Sequence, residues 1–147
     1  MKIFLAIIVI LIFTFLIAKL SNLKTTSTTS NSNTAQVSDT AGKLQVEDIK
    51  IGTGSAVKAG DDVVMEYTGT FPNGKVFDST SIHGQPFETV IGVGKVIPGW
   101  DQGIPGMKVG GERKLVVPPN LGYGSTQVGS IPPNSTLIFD VKLLEIK

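Results

Sequence analysis

The spacing of hydrophobic and polar residues divides this 147-residue chain into three segments. Residues 3–18 are apolar except for Thr14, and residues 25–34 contain only Thr, Ser and Asn, too few apolar groups to order a fold. From Lys43 onward, apolar residues recur in short runs separated by Gly and Pro. These patterns predict, in order, a signal anchor or transmembrane segment, a disordered linker and a folded domain, over residues 1–24, 25–42 and 43–147.

The N-terminal apolar run is long enough to cross most of a lipid bilayer. As a helix, Ile3–Ala18 would span about 24 Å, against about 30 Å of hydrocarbon. Extension to Leu23, with the side chains of Lys2 and Lys19 reaching the headgroups, closes that gap. We expect residues 1–24 to anchor the chain to a membrane, with the folded domain outside the cytoplasm, on the periplasmic or extracellular face.

A cleaved signal peptide is the alternative interpretation of this run, and cleavage would release a secreted domain. The basic start fits both interpretations, but the small-residue pattern of a cleavage site is poor. Leu16 stands two residues before Ala18, and Lys19 stands two residues before Ser21. Lysines on both sides of the run leave its orientation open.

The folded domain shows strand character in six short runs and helix character in one. Gly, Pro and the turn sequence Asn73–Gly74 separate the runs. Helix signals occur only at Pro98–Met107, where Pro98 suits the first turn but two glycines and Pro105 weaken the rest. This pattern predicts an α+β domain, with an antiparallel sheet and one short helix. The predicted strands lie around Leu44, Val46 and Ile49, and at Val63–Thr70, Val76–Phe77, Phe87–Ile91, Glu112–Val117 and Thr136–Ile146.

Composition narrows the chemistry that the domain can perform. The chain has no cysteine, which excludes disulfides, Cys-ligated zinc and a thiol nucleophile. From Lys43 onward there are 10 Lys or Arg and 11 Asp or Glu, so we expect no nucleic-acid binding. His83 is the only histidine, so neither a paired-imidazole metal site nor a recognisable serine triad is present, and we predict no metal and no cofactor. His83 itself lies in a loop ending at Gly84 and is expected to be a surface residue.

A dispersed set of aromatic and aliphatic residues, with one acid, stands out in the domain. Most of its members are candidates for ordinary core packing. Trp100 is the only tryptophan and belongs to the short helix. Asp78 follows Phe77 on a strand, which is unusual for an acid unless it faces a cleft or binds a partner. The set comprises Tyr67, Phe77, Asp78, Phe87, Val96, Ile97, Trp100, Tyr123, Ile131 and Phe139.

The order and spacing of nine short motifs resemble the FKBP family of peptidyl-prolyl cis/trans isomerases. The resemblance covers residues 43–147, and the ordered combination is far more specific than any single motif. The motifs are Tyr67–Gly69, Gly74–Ser79, Pro86–Phe87, Val96–Trp100, Gly106–Gly111, Pro118–Pro119, Leu121–Gly124, Ile131–Pro133 and Leu137–Val141.

The resemblance implies a half-barrel, a twisted antiparallel sheet wrapped around one short helix, with a proline pocket between them. Trp100 would form the floor of the pocket and Ile131 would line its mouth. Four residues are implied in catalysis: Asp78, Tyr123, Tyr67 and, through its backbone N–H, Ile97. The implied substrate-binding residues are Phe77, Phe87, Val96, Trp100, Ile131 and Phe139.

The same resemblance implies the reaction and the binding partners. The reaction is rotation about Xaa–Pro bonds, and the implied partners are proline-containing polypeptides and macrolide inhibitors of the tacrolimus type. Together with the predicted anchor, this predicts exported or membrane-associated proteins as substrates. We expect a monomer. A catalytically weak chaperone or proline-peptide docking module is the alternative. The sequence departs from familiar family members where His83 replaces an arginine that often pairs with the acid, in a shortened loop between Tyr123 and Ile131, and at Pro105 within the predicted helix.

Overall fold

A computed structural model describes residues 42–147. The predicted anchor over residues 1–24, and all of the predicted linker over residues 25–42 except its last residue, lie outside the described residues, so those two predictions stay predictions. Within the part of the chain that the structure describes, no helix is long and apolar enough to cross a membrane.

Residues 42–147 form six strands and three short helical segments. Most of the predicted boundaries agree with these elements to within one or two residues. The strands are β1 (Gln45–Lys50), β2 (Asp62–Thr70), β3 (Val76–Ser79), β4 (Phe87–Val90), β5 (Glu112–Val117) and β6 (Leu137–Ile146). The helices are α1 (Thr80–His83) and α2 (Pro98–Gly103), and a 3₁₀ turn covers Pro119–Leu121.

The six strands form one antiparallel sheet, which confirms the predicted fold class. Five of them follow the order β1-β5-β6-β2-β3, and β4 also pairs with β2. The long pair β2–β6 runs from Val63 opposite Ile146 to Thr70 opposite Ile138. The other edge of β2 is shared, since β4 pairs with Asp62–Met65 and β3 pairs with Thr68–Thr70. Strand pairing on that edge is therefore interrupted at Tyr67.

Helix α1 occupies the interruption between β3 and β4. The Thr80 hydroxyl accepts a hydrogen bond from the Tyr67 N–H at 3.2 Å and donates to the Tyr67 carbonyl at 3.3 Å. Ser79 caps the start of α1 by accepting from the Ile82 N–H, and Gly84, at φ 71°, ends it in the left-handed conformation. The sequence analysis missed α1 because one turn is too short to show helical periodicity, although its flanking Ser and Gly are typical cap residues.

Strand β5 alternates buried with half-buried side chains, and β6 alternates buried with half-buried or exposed ones over most of its length, so one face of the sheet covers the core. The buried side of β6 carries Leu137, Phe139, Val141 and Leu143, as predicted. Helix α2 and the residues after it add Trp100, Ile104 and Met107 to the same core. The half-barrel therefore has its hydrophobic core between the concave face of the sheet and α2.

The two glycines of α2 lie where the helix approaches β5. A Cβ atom at Gly99 would stand 2.5 Å from Cγ1 of Val117, and one at Gly103 would stand 2.7 Å from Cδ2 of Leu115. Both distances are far below van der Waals contact, so only glycine permits this close approach. The glycines that lower the helix propensity of this segment are thus required by its packing.

Helix α2 ends at Gly103 rather than at the predicted Met107. Ile104 keeps helical backbone angles and donates its N–H to the Trp100 carbonyl at 2.9 Å, but Pro105 lacks the N–H that would continue the helical ladder. Gly106 then adopts a positive φ of 83°. Proline therefore shortens the helix to two turns at most and directs the chain toward β5.

Arg113 is a buried cation that the sequence analysis did not identify. Its Nη1 donates to the carbonyls of Gly103 at 2.7 Å and Pro105 at 3.2 Å, and its Nε lies 2.6 Å from Oδ1 of Asp48. The side chain thereby joins the end of α2 to β5 and to the edge strand β1. A cation beside the carbonyls at a helix C-terminus is electrostatically favourable.

Candidate active site

A cavity of about 590 Å³ opens between the sheet and the segment that leads into α2. All ten residues singled out in the sequence line it, although they come from β2, β3, β4, β6, α2 and two loops. The roles assigned to them from the sequence stay predictions. The cavity-lining residues that the sequence analysis did not single out are Lys95, Val128, Gly129 and Ser130.

The floor of the cavity is a cluster of aromatic rings around Trp100, whose side chain is buried. The rings of Tyr67, Phe87 and Phe139 stand edge-on to the indole at centroid distances of 5.2, 5.8 and 5.3 Å. Edge-to-face pairs at these distances are favourable beyond the area they bury. The indole N–H of Trp100 has no hydrogen-bond partner among residues 42–147. The floor is therefore closely packed and predominantly apolar.

Gly69 leaves space for two of these rings. A Cβ atom at this position of β2 would lie 2.6 Å from Cζ of Phe77 and 3.2 Å from Cε1 of Phe139. The two rings themselves stand edge to face, with centroids 5.6 Å apart. Gly69 belonged to one of the sequence motifs, but its packing role becomes visible only when β2, β3 and β6 are brought together.

Asp78 is the centre of the polar rim. Its Oδ2 accepts a hydrogen bond from the Tyr67 hydroxyl at 2.6 Å, and its Oδ1 lies 2.7 Å from Nε2 of His83. Burial raises the pKa of Asp78, but the hydrogen bonds from Tyr67 and His83 outweigh it, so the pKa lies below its ordinary value. His83 is exposed, as expected. It also contacts Asp78, which the sequence analysis did not predict for this residue.

Both tyrosines at the cavity resist ionisation. Burial, followed by the hydrogen bond to Asp78, raises the pKa of Tyr67 far above its ordinary value. Burial and the charge of Asp78 also raise the pKa of Tyr123. The hydroxyl of Tyr123 has no hydrogen-bond partner within the described part of the chain, so it is a neutral donor available to a ligand.

The backbone that carries Val96 and Ile97 is fixed by Asp101 of α2. The Asp101 carboxylate accepts from the N–H of Gly92 at 2.7 Å and from that of Gly94 at 2.8 Å. The carbonyl of Ile97 accepts the first helical hydrogen bond, from the Trp100 N–H at 2.9 Å. The N–H of Ile97 makes no hydrogen bond within residues 42–147, so a second free donor lies at the cavity wall.

A larger groove, of about 760 Å³, lies on the opposite face of the sheet. Outward-facing charged side chains such as Glu66, Asp140 and Lys142 line it, and Tyr67 is the only predicted site residue at its surface. Lys142 already pairs with Glu66 at 3.5 Å. The groove lacks the aromatic enclosure of the smaller cavity, which is therefore the better candidate for an apolar ligand.

Comparison with known proteins agrees with this site. Residues 53–144 match the family of FKBP-type peptidyl-prolyl cis-trans isomerases. The chain is 59% identical over 104 residues to FK506-binding protein 4 of Neurospora crassa, an alignment that covers 71% of this chain and 22% of the relative. It is 49% identical over 106 residues to FK506-binding protein 3 of Yarrowia lipolytica, covering 72% of this chain and 26% of that one. The chain thus spans less than a third of the length of these fungal relatives.

Two solved structures share the fold. AtFKBP13 superposes with a TM-score of 0.67 at 40% identity, covering 71% of this chain and 93% of that one. FkpA from Escherichia coli superposes with a TM-score of 0.66 at 46% identity, covering 71% of this chain and 48% of that one. The sequence match, the shared half-barrel and the aromatic cavity together establish that this chain belongs to the FKBP-type peptidyl-prolyl cis-trans isomerase family.

Proposed function

We propose that this protein accelerates cis/trans isomerisation of Xaa–Pro peptide bonds, with the proline ring held in the aromatic cavity. The observation that supports the proposal most directly is the convergence of the ten site residues on one apolar cavity with a tryptophan floor. A pyrrolidine ring is apolar and flat enough to pack against edge-to-face aromatic walls.

The energetic problem in this reaction is rotation rather than bond cleavage. The barrier is about 18–20 kcal/mol, and unaided isomerisation takes tens to hundreds of seconds. The twisted transition state loses amide resonance, so its dipole is smaller than that of the planar amide. An apolar, water-poor cavity favours the twisted form over the ground state, which is the differential binding that catalysis requires.

The free donors at the cavity wall would hold the peptide on either side of the rotating bond. The Ile97 N–H and the Tyr123 hydroxyl are unpaired within residues 42–147 and can bind substrate carbonyls. With the flanking peptide fixed, rotation is confined to one bond. Asp78 would act by orienting Tyr67, whose hydroxyl it binds at 2.6 Å, and by presenting its charge to the rotated carbonyl carbon.

An isomerase assay on the full-length chain tests this proposal. The chain would be purified with a mild detergent because of its apolar residues 3–18, and assayed with an Xaa–Pro tetrapeptide. We expect the wild type to exceed the uncatalysed rate and Asp78→Asn to lose at least about tenfold in kcat/KM. Asp140→Asn is the matched control, since Asp140 lies on the outer face of the same sheet. No acceleration by the wild type would reject the enzyme, and peptide binding without acceleration would favour the docking-module alternative.

Macrolide binding is a separate part of the proposal. A tacrolimus-type macrolide would occupy the cavity over Trp100, and the fluorescence of this single tryptophan provides the titration signal. We expect saturable quenching together with inhibition of turnover, and analytical ultracentrifugation should give the mass of one chain. Unchanged fluorescence at saturating macrolide would reject the proposed binding site.

We propose that residues 1–24 attach the protein to a membrane and that the folded domain lies outside the cytoplasm. This proposal rests only on the apolar run of residues 3–18. Resistance of the protein to extraction by alkaline carbonate would support an anchor over residues 1–24. An intact mass that begins between Lys19 and Asn22 would instead show signal cleavage and a secreted product. Protease protection of the folded domain in sealed membrane vesicles would decide its side of the membrane.

A further inference from the structure

His83 is the outermost residue in a series of hydrogen bonds that leads through Asp78 to Tyr67 in the cavity. Its Nε2 lies 2.7 Å from Oδ1 of Asp78, and Oδ2 of the same carboxylate accepts from the Tyr67 hydroxyl at 2.6 Å. Tyr67 in turn contacts the indole of Trp100 edge-on at 5.2 Å. We propose that His83 is a positioning residue that aligns Asp78 and Tyr67, and that its protonation makes isomerase turnover dependent on pH. The inference rests on the proposed isomerase function.

The backbone around His83 fixes the imidazole beside the acid. Helix α1 is bonded to β2 through Thr80, capped by Ser79 and ended by Gly84, which confines its four residues to one geometry. Asp78 stands immediately before this unit on β3. His83 therefore meets the Asp78 carboxylate without requiring a long side chain to be ordered, which limits the entropy that the contact must overcome.

The other charged and titratable groups around the pair are few. Tyr67 and Tyr123 face Asp78 from the cavity. Both are neutral at physiological pH, since the ordinary tyrosine pKa of 10.0 is already well above it and is raised further in each. Lys95 lines the same cavity and forms no ion pair within the described residues. On the other side of α1, Glu66 pairs with Lys142 at 3.5 Å. None of these groups ordinarily changes charge between about pH 5 and 8, the range in which an imidazole does.

The strength of the contact to Asp78 depends on the charge of the imidazole. Because Asp78 is ionised, its hydrogen bond from a neutral imidazole is already charge-assisted. An imidazolium adds the attraction between two opposite charges, with Nε2 and Oδ1 2.7 Å apart. The lowered pKa of Asp78 keeps the carboxylate ionised throughout this pH range, so any change of charge within the pair comes from the imidazole. Turnover should therefore be higher at the acidic end, where the imidazolium holds Asp78 firmly against Tyr67. We expect a change of about two- to fivefold, the size typical of a partly exposed ion pair.

Two substitutions of His83 separate charge from hydrogen bonding. In His83→Arg the partner of Asp78 is always charged, and in His83→Gln it is always a neutral donor. The full-length wild type and both variants would be assayed by NMR exchange on an Xaa–Pro peptide from about pH 5 to 8. This readout needs no coupling protease, whose own pH profile would interfere, and the uncatalysed exchange is subtracted at each pH.

The proposal predicts three different profiles. Wild-type kcat/KM should fall as pH rises, His83→Arg should stay level near the acidic wild-type value, and His83→Gln should stay level near the alkaline one. Identical profiles for all three proteins, or a level wild-type profile, would overturn the positioning role while leaving the isomerase function intact. A wild type that is inactive at every pH would instead reject the proposed function itself.

A second measurement does not depend on turnover. The imidazole resonances of His83, the only histidine in the chain, can be compared by NMR at one fixed pH between the wild type and Asp78→Asn. They should shift, because Nε2 lies 2.7 Å from the carboxylate that the substitution replaces. Unchanged resonances would show that the two groups are not in contact and would also overturn the proposal.

Discussion

Replacement of Gly99 by alanine should destabilise the domain, although alanine is the better helix former. In an unrestrained helix the substitution would gain about 1 kcal/mol. Here the new methyl group would stand 2.5 Å from Cγ1 and 2.8 Å from Cγ2 of Val117, and 3.3 Å from the carbonyl oxygen of Leu121. Overpacking of this kind typically costs about 1–3 kcal/mol. After the gain in helix propensity is subtracted, we expect a net loss of up to about 2 kcal/mol in the free energy of unfolding.

The structure also predicts how the loss should vary between the two glycines of α2. Val117 is β-branched and cannot move its methyl groups aside, because its χ1 angle is restricted. At Gly103 the nearest atom is the tip of the longer Leu115 side chain, 2.7 Å from the position of the new methyl. Gly103→Ala should therefore destabilise the domain less than Gly99→Ala.

Equilibrium unfolding in urea, followed by the fluorescence of Trp100, measures these differences. Trp100 is the only tryptophan and lies next to Gly99, so its emission reports directly on the packing of α2 against the sheet. Val117→Ala alone should cost about 2 kcal/mol, for two buried methyl groups and the resulting cavity. The double variant Gly99→Ala/Val117→Ala should lose less than the sum of the single variants. Additivity to within about 0.5 kcal/mol would refute a steric conflict between these residues.

Three further outcomes follow from the polar and titratable groups of the domain. Arg113→Met should destabilise the domain by about 2–4 kcal/mol in urea unfolding, because two carbonyls at the end of α2 lose a charged donor. Asp48→Asn should cost about 1 kcal/mol or less. If Asp48→Asn instead cost as much as Arg113→Met, the ion pair rather than the two carbonyls would explain the effect. Ultraviolet titration of the two tyrosines, Tyr67 and Tyr123, should show midpoints above their ordinary pKa. The free energy of unfolding should fall as pH rises above about 10, because the tyrosines of the unfolded state lose their protons before those of the folded state. The lowered pKa of Asp78 stabilises the folded state above its ordinary pKa of 3.8, and this contribution is lost as pH falls toward the folded value, so Asp78→Asn should be less sensitive to acid than the wild type.

The sequence supported a detailed prediction of the candidate site because every predicted residue belonged to one of the nine motifs. Trp100 followed a helix-initiating proline, Asp78 broke the apolar pattern of a strand, and the motif order supplied the rest. The four residues that were missed include Lys95 and three consecutive loop residues, 128–130. A surface lysine and a loop of small residues resemble any solvent-exposed segment, and only the closing of the loop over the cavity gives them a place in its wall.

The contact between His83 and Asp78 also became visible only in the tertiary structure. A lone histidine five residues after an acid has no periodic relation to it unless the intervening chain forms a turn. Helix α1 creates that relation, and it exists because Thr80 fills an interruption in the pairing of β2. The interruption depends on two different strands sharing one edge of β2, which no local pattern encodes.

By itself the sequence determined the strand runs, the inward face of β6, the aromatic set of the cavity and the family to which the chain belongs. These features follow from alternation, turn chemistry and motif order, all of which are local in the chain. Only the tertiary structure decided the close approach of α2 to β5, the burial of Arg113 at the helix end and the series of hydrogen bonds from His83 to Tyr67. Each of these depends on atoms that are distant in sequence and meet at contact distance, so their energies are set by packing and burial rather than by propensity.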